Sequence, residues 1–399
     1  MISMANLNVN FAGLELKNPF IAASSELTDE FDKIRWAEDF GASAVCTKLA
    51  FLEVPFYARP YHVFEKGGGF YSPSGHRLGV EEAQELIRKT KEQTELKVMA
   101  NMMGPGENLD GWVKLAQMLE EAGADMVELN MSCPNVGLMA KKMNVDVTDE
   151  LGAHLGKNPI LAREVCRAIS DNITIPVMAK MTPEGPCDIV AEGCQQGGAA
   201  AVSGINCPMS LPGCDIYDNG KPLYPSTHNQ SFAGICGPWI RPLAFRHVAQ
   251  MRMKCPDLPI AGGGGISNWQ QSIQMVMYGA TVLTYCTLFY TDGFKALPKL
   301  EKGVREWMDE MGHETLDDFR NIALKHIVTP QKVDYFDAYP VIDEEKCNGC
   351  KVCVDLGHCE VMSFDEESKK AHVQQKDKCY MCGVCYWLCK RKAITMEAV

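Results

Sequence analysis

GADMVELNMSCPN, residues 123–135, joins a helix-ending turn, an apolar strand-length run and a polar strand end in thirteen residues. A Gly-Ala step (Gly123, Ala124) leads into an apolar run, Met126 to Met131, and the chain turns polar at Asn130, Ser132 and Asn135. Glycine tolerates the left-handed turn that closes a helix, and alanine lets the next strand start against it. The same step recurs at Gly41 and Ala42, Gly198 and Ala199, and Gly279 and Ala280. Working outward, runs of strand length lie at PFIAAS (19–24), SAVCTK (43–48), KVMANM (97–102), MVELNM (126–131), PVMAKM (176–181), AAVSGIN (200–206), LPIAGG (258–263) and TVLTYC (281–286). They alternate with amphipathic helical stretches through residue 305, the pattern of α/β with a parallel sheet. A doubly wound sheet shows the same local steps, but eight strands favour a closed (β/α)8 TIM barrel.

In that fold the active site sits at the C-terminal ends of the strands. Those ends carry Ser24, Ser25, Lys48, Asn101, the run 130–135, Lys180, Asn206 with Cys207, Gly262 to Gly265, and Cys286 with Thr287. Amines and amides closing apolar strands are poor core residues, since burial without a partner costs roughly several kcal/mol each. A convergent polar pocket explains them together. The run IAGGGGIS follows the seventh strand and TYCT the eighth, where barrels commonly build a phosphate site from bare backbone N–H groups. Taken alone, the glycines are equally compatible with a tight turn. No GxGxxG follows a strand, so the chain offers no evident site for FAD or NAD.

Eight of the eighteen cysteines fall in the last 53 residues in two runs, Cys347, Cys350, Cys353, Cys359 and Cys379, Cys382, Cys385, Cys389. Triplets at i, i+3, i+6 with a remote fourth cysteine are the pattern of a two-cluster bacterial ferredoxin, whose fourth thiolates cross over. The expected sets are Cys347, Cys350, Cys353 with Cys389, and Cys379, Cys382, Cys385 with Cys359. Zinc knuckles also use CxxC pairs but have no use for triplets. Val354 to His358 lengthen one spacer, and Glu360 and Lys390 stand where proline usually follows. Cys359 is therefore the ligand with the weakest pattern. With these cysteines, the glycine loop suggests a phosphorylated redox cofactor, for which FMN is the natural fit.

The 399 residues divide into an FMN-binding barrel at 1–310, a helical connection at 311–338 and a ferredoxin-like domain with two 4Fe-4S clusters at 339–399. A net charge of −12 argues against a nucleic-acid partner, and no run of about 18 apolar residues suggests a membrane span. Ten further cysteines scattered without evident pairing, and a start without a secretory pattern, imply a reducing cytoplasm.

The runs ELNMSCPNV (128–136), AKMTP (179–183), SGIN (203–206), GPWIRPLAFRHV (237–248) and GGI (264–266) resemble the dihydroorotate dehydrogenase superfamily. The appended cysteine module, introduced by YPVIDEEKC (339–347), is similar to the flavin and iron–sulfur part of dihydropyrimidine dehydrogenases. The resemblance implies flavin contacts at Ala23, Ser24, Lys48, Asn101, Asn130 and Lys180, and phosphate contacts at Gly234, Gly264, Gly265, Cys286 and Thr287. It implies substrate contacts at Asn130, Ser132, Asn135, Asn206 and Cys207. Cys133 becomes the catalytic acid or base, and Lys180 its catalytic companion at the flavin. The family's further asparagine has no counterpart in FYSPSGHRLG (70–79), so His76 or Arg77 are candidates to replace it, as for a carboxylate.

The resulting expectation is an oxidoreductase that adds or removes two hydrogens across a C=C bond next to a carbonyl or lactam, on uracil, thymine or a related heterocycle. Alternatives are reduction of an enoate or another heterocycle, dihydroorotate oxidation, and an electron-transfer subunit without catalysis. The absent nicotinamide site implies a separate NAD(P)H-oxidising flavoprotein subunit or a ferredoxin as electron donor, and an oligomer is expected.

Overall fold

The structure, a computed structural model, describes residues 5–54, 59–104, 108–133 and 155–398, apart from the side chains of residues 73 and 74. Every expected run forms a strand. They are β1 (Phe20–Ala22), β2 (Ala44–Cys46), β3 (Lys97–Met102), β4 (Met126–Leu129), β5 (Val177–Lys180), β6 (Ala201–Gly204), β7 (Ile260–Gly263) and β8 (Val282–Tyr285). Each pairs in parallel with the next, and β8 pairs with β1, so the barrel closes. Both faces of these strands are covered, which is why they are uniform apolar runs without polar alternation. Ile21, Val98, Val127, Val202, Ile260 and Val282 are all fully buried, each contributing roughly 1.5–3 kcal/mol.

Helices follow the strands: α1 (Phe31–Asp39), α2 (Val80–Gln93), α3 (Leu109–Glu121), α4 (Pro159–Ser170), α5 (Cys187–Gln196), α6 (Arg241–Lys254), α7 (Trp269–Met277) and α8 (Leu297–Met311). Asparagine side chains accept from the first-turn N–H groups of three of them: Asn108 at α3, Asn158 at α4 and Asn268 at α7. Such caps contribute roughly 0.5–2 kcal/mol each. Gly123, Gly41, Gly198 and Gly279 all have positive φ, so each Gly-Ala step makes the left-handed turn its sequence implies.

Two excursions cover the mouth of the barrel. Tyr61–Glu65 and Gly69–Ser74, between β2 and β3, join Ala233–Cys236 and Met209–Ser210, between β6 and β7, in a four-stranded antiparallel sheet. Residues Met1–His326 form one compact unit and Ile327–Val399 another. Of the segment expected as a connection, Leu316 and Phe319 are buried in the barrel unit's core, while 327–337 are exposed. The second unit is built on two antiparallel pairs, Ala338–Ile342 with Ile394–Ala398 and Met362–Asp365 with Lys370–Val373.

Candidate active site

The register of the barrel sets Asn101 of β3 beside Glu128 of β4, and Lys180 of β5 beside Ser203 of β6. These four polar side chains meet at the carboxyl ends of their strands. Glu128, 2% exposed, accepts hydrogen bonds from the Asn101 amide and, at 2.7 Å, from the Ser203 hydroxyl. The Lys180 Nζ lies 3.6 Å from its carboxylate. Burial works against the Lys180 ammonium, but Glu128 and the thiols of Cys46, Cys286 and Cys133 outweigh it and raise its pKa, so it stays charged.

The polar chain continues outward. Asn130 donates to the Asn101 carbonyl oxygen at 3.2 Å and accepts from Ser132 at 3.1 Å and from Asn206 at 3.3 Å, while Asn206 also donates to the Ser132 hydroxyl at 2.9 Å. Every amide in this chain is held by a neighbour, which fixes the orientation in which the exposed ones face a ligand.

Two cavities open over this layer and share Ser24, Lys180, Asn206, Cys207, Cys236 and Cys286. The first lies against Ala23, Gly237, Gly264, Gly265 and Thr287. Gly264 and Gly265 have φ of +122° and +75°, and a Cβ on Gly265 would stand 2.4 Å from the Gly237 carbonyl oxygen. Only bare backbone fits there, the form a phosphate cradle takes. The second cavity is lined by Asn130, Cys133, Lys48, Glu26, His62 and Arg77 among others. Glu26 accepts from Lys48 at 2.7 Å and from the Tyr290 hydroxyl at 2.5 Å. Burial opposes the Glu26 carboxylate, but Lys48 and Tyr290 prevail and hold its pKa at about 2. Burial pushes the Lys48 pKa down against the pull of Glu26, with Arg77 adding to the depression, and burial also lowers that of His62.

Ala23, Ser24, Lys48, Asn130, Lys180, Gly264, Gly265, Cys286, Thr287, Cys133, Asn206 and Cys207 thus line these cavities. Asn101 and Ser132 are fully buried and line neither; they brace Glu128, Asn130 and Asn206 from behind. Gly234 borders the second cavity, whereas Gly237, with φ of +82°, lines the first beside Gly264 and Gly265. Asn135 lies outside the described residues. The expectation of unpaired thiols fails at Cys207, which forms a disulfide with Cys236 across the mouth sheet. The two cysteines are 29 residues apart, and only the pairing of Met209–Ser210 with Ala233–Cys236 brings them together. Sequence reasoning also missed Glu26, Glu128, Ser203 and Tyr290. The signal for Glu128 was present: a carboxylate inside an apolar strand, beside a strand-ending lysine.

In the second unit, one small cavity is lined by Cys347, Cys350, Cys353 and Cys389, and another by Cys359, Cys379, Cys382 and Cys385. Gly349, Lys351, Met381 and Gly383 all take positive φ, curling each triplet around its cavity. Cys359, at the end of the lengthened spacer, lines its cavity beside His358.

The sequence profile described as dihydroorotate dehydrogenase matches residues 6–308, and the chain belongs to that family. It is a flavoprotein oxidoreductase acting on CH–CH bonds. The chain is 30% identical over 385 residues to the NAD-dependent dihydropyrimidine dehydrogenase subunit PreA of Escherichia coli (strain K12), covering 92% of this chain and 90% of that protein. It is 31% identical over 325 residues to the dihydroorotate dehydrogenase B (NAD(+)) catalytic subunit of Pyrococcus abyssi, covering 80% of this chain and 99% of that protein. The corresponding subunit of Thermoplasma volcanium is 28% identical over 325 residues, covering 81% of this chain and 100% of that protein. Among the described residues, no helix is long and apolar enough to cross a membrane.

Proposed function

We propose that this chain is the catalytic subunit of an FMN- and iron–sulfur-dependent enzyme that adds or removes two hydrogens across a carbon–carbon bond next to a carbonyl or lactam, as in a dihydropyrimidine. The observation that carries this reading is the continuity of the two cavities: the bare glycine cradle of one and the Cys133 thiol of the other meet over Lys180 and Asn206. FMN, when bound, supplies hydride exchange with a substrate carbon.

The residues present fit that cofactor. The backbone of Gly264, Gly265 and Gly237 would hold its phosphate, and Ala23, Ser24 and Thr287 would line its berth. The charged Lys180 ammonium, fixed by Glu128, would stabilise negative charge developing beside it. The amides of Asn130 and Asn206, oriented by Ser132 and Asn101, would present donors and acceptors to a ring carbonyl and N–H. Cys133 would give or take the proton on the carbon next to the hydride-exchanging one. A thiol suits this work because its ordinary pKa, near 8.5, is tuned with little cost.

The cysteine sets around the two cavities of the second unit would hold two 4Fe-4S clusters, which supply one-electron transfer. The PreA relative is a subunit of an NAD-dependent enzyme, and this chain is proposed likewise to take electrons from a separate NAD(P)H-oxidising flavoprotein or from a ferredoxin. The test is an anaerobic screen of unsaturated pyrimidines and enoates against dithionite-reduced protein, with flavin reoxidation as the readout. Reoxidation by a compound of this kind is expected, with no flavin bleaching by NADPH alone; reoxidation by none of them refutes the reading.

A further inference from the structure

The Cys207–Cys236 disulfide stands where the walls of the two cavities meet, and each of its cysteines lines both. Its two ends are tied to different halves of the site. Cys207 follows Asn206, whose side-chain oxygen accepts from the Cys207 N–H at 2.8 Å while its amide donates to the Ser132 hydroxyl at 2.9 Å. Cys236 precedes Gly237, and Gly265 packs so closely on the Gly237 carbonyl oxygen that a Cβ there would stand at 2.4 Å. The cross-link therefore joins the amide chain on one side to the glycine cradle on the other. Between the two cysteines runs the excursion 208–235, which carries Ile216 and Tyr217 out into solvent at 77% and 94% exposure. Hydrogen bonds also hold the base of this excursion: Ile235 donates to the Pro208 carbonyl at 2.9 Å, the Ser210 hydroxyl to that of Ala233 at 2.7 Å, and the Met209 N–H to the Glu184 carboxylate at 2.6 Å. None of these involves a sulfur, so opening the disulfide loosens the rim without dissolving the cover.

It is the one disulfide among the described residues, and the other sixteen cysteines are free. The proposed clusters need thiolates, hence surroundings rich in thiols, where a disulfide that can be reached from a cavity is open to exchange. Cys207 is half-buried and Cys236 7% exposed, so an incoming thiolate meets the Cys207 sulfur first. The attack forms a mixed disulfide at Cys207 and releases Cys236 as a thiol; the donor's second thiol then closes its own disulfide and frees Cys207. Two electrons and two protons pass from a dithiol to the protein, and a small disulfide runs the exchange backward. We propose that Cys207 and Cys236 form a reversible thiol–disulfide latch over the flavin berth. Oxidised, the latch holds Asn206 and Gly237 in one rim and retains FMN; reduced, it lets the rim open and FMN leave or enter. The inference rests on the proposed FMN site and adds a regulation to it. The latch works through chain freedom: cross-linked ends of the excursion move as one, whereas parted ends are held by hydrogen bonds alone.

The test uses the full chain, purified anaerobically and loaded with FMN, in three samples: oxidised with glutathione disulfide, reduced with dithiothreitol, and reduced then reoxidised. Iodoacetamide labelling with peptide mass analysis reads the state of the two cysteines. The rise of flavin fluorescence on dilution reads FMN release, and neither measurement needs turnover. In the oxidised and reoxidised samples Cys207 and Cys236 are expected to be joined and FMN to leave slowly. In the reduced sample both are labelled and FMN leaves at least about 10-fold faster, a modest share of what a cross-link of this span contributes. Cys207→Ser and Cys236→Ser release FMN at the fast rate in either reagent, and the return of slow release in the reoxidised parent shows that reduction has not unfolded the barrel. Cysteines that stay unjoined in glutathione disulfide, or joined in dithiothreitol, overturn the latch. So does one release rate in all three samples, or a response to dithiothreitol that survives in the serine variants. In each of these cases the bound FMN leaves the cofactor reading standing. A chain that holds no FMN in any of the samples refutes that reading and the latch with it.

Discussion

The ammonium of Lys180 stands 3.6 Å from the carboxylate of Glu128, with the carboxylate almost completely buried at the carboxyl end of the barrel. Each charge depends on the other to be tolerated there. Glu128→Gln therefore leaves Lys180 as an uncompensated buried cation and should destabilise the barrel by about 3–5 kcal/mol. Urea unfolding of variant and parent at neutral pH measures the difference. A loss below about 1 kcal/mol would mean that water reaches the pair.

The Glu26 carboxylate gives the stability a pH signature. Its pKa is held at about 2 in the folded protein against 4.5 when free, so its contribution is complete above pH 4.5 and is lost as the pH falls toward 2. The shift corresponds to about 3 kcal/mol. Lys48 moves down as well, under burial, and this cost offsets part of the gain, so the pair stabilises by less than the carboxylate shift alone. Glu26→Gln should be less stable than the parent at pH 6, and the gap should close steadily between pH 4.5 and 3 in urea unfolding series. A constant gap across that range would show that the pair does not titrate as described.

Cys133 carries the proposed proton transfer. Cys133→Ala should retain FMN and iron but lose a factor of about 100 to 10,000 in turnover, the usual worth of a positioned acid or base. Cys133→Ser should also be slow, because a hydroxyl is a far weaker acid, while flavin reduction by dithionite stays normal in both. Turnover of Cys133→Ala within a few-fold of the parent would remove the residue from the mechanism. Cys207 is a poor substitute, since its sulfur is tied to Cys236.

The cysteine sets predict iron content. Anaerobically purified chain should hold about eight iron atoms, and Cys359→Ala about four, because one complete set remains when the other loses a member. Iron analysis with electron paramagnetic resonance of the reduced protein counts the clusters. Undiminished iron in Cys359→Ala would remove that cysteine from its set, and stoichiometric zinc would displace the cluster reading altogether.

The barrel and the two cysteine sets are legible in the chain without its fold. Strands covered on both faces must be apolar throughout, so all eight stand out between Gly-Ala turns, and cysteine triplets at i, i+3, i+6 have few other uses. The chain also placed Lys180, Asn130, Asn206 and Cys133 at strand ends, where the fold brings them to one mouth. Which charges meet there depends on the course of the folded loops. Glu26 pairs with Lys48 across 22 residues, and Tyr290 reaches the same carboxylate from 264 residues away. Arg77 meets Cys133 across 56 residues, and Cys207 finds Cys236 through the cover sheet. These partnerships are made by loops whose course no local periodicity records. Strand formation is dictated by burial, which leaves a pattern in the chain, whereas ion pairing at the mouth is dictated by distance, which does not.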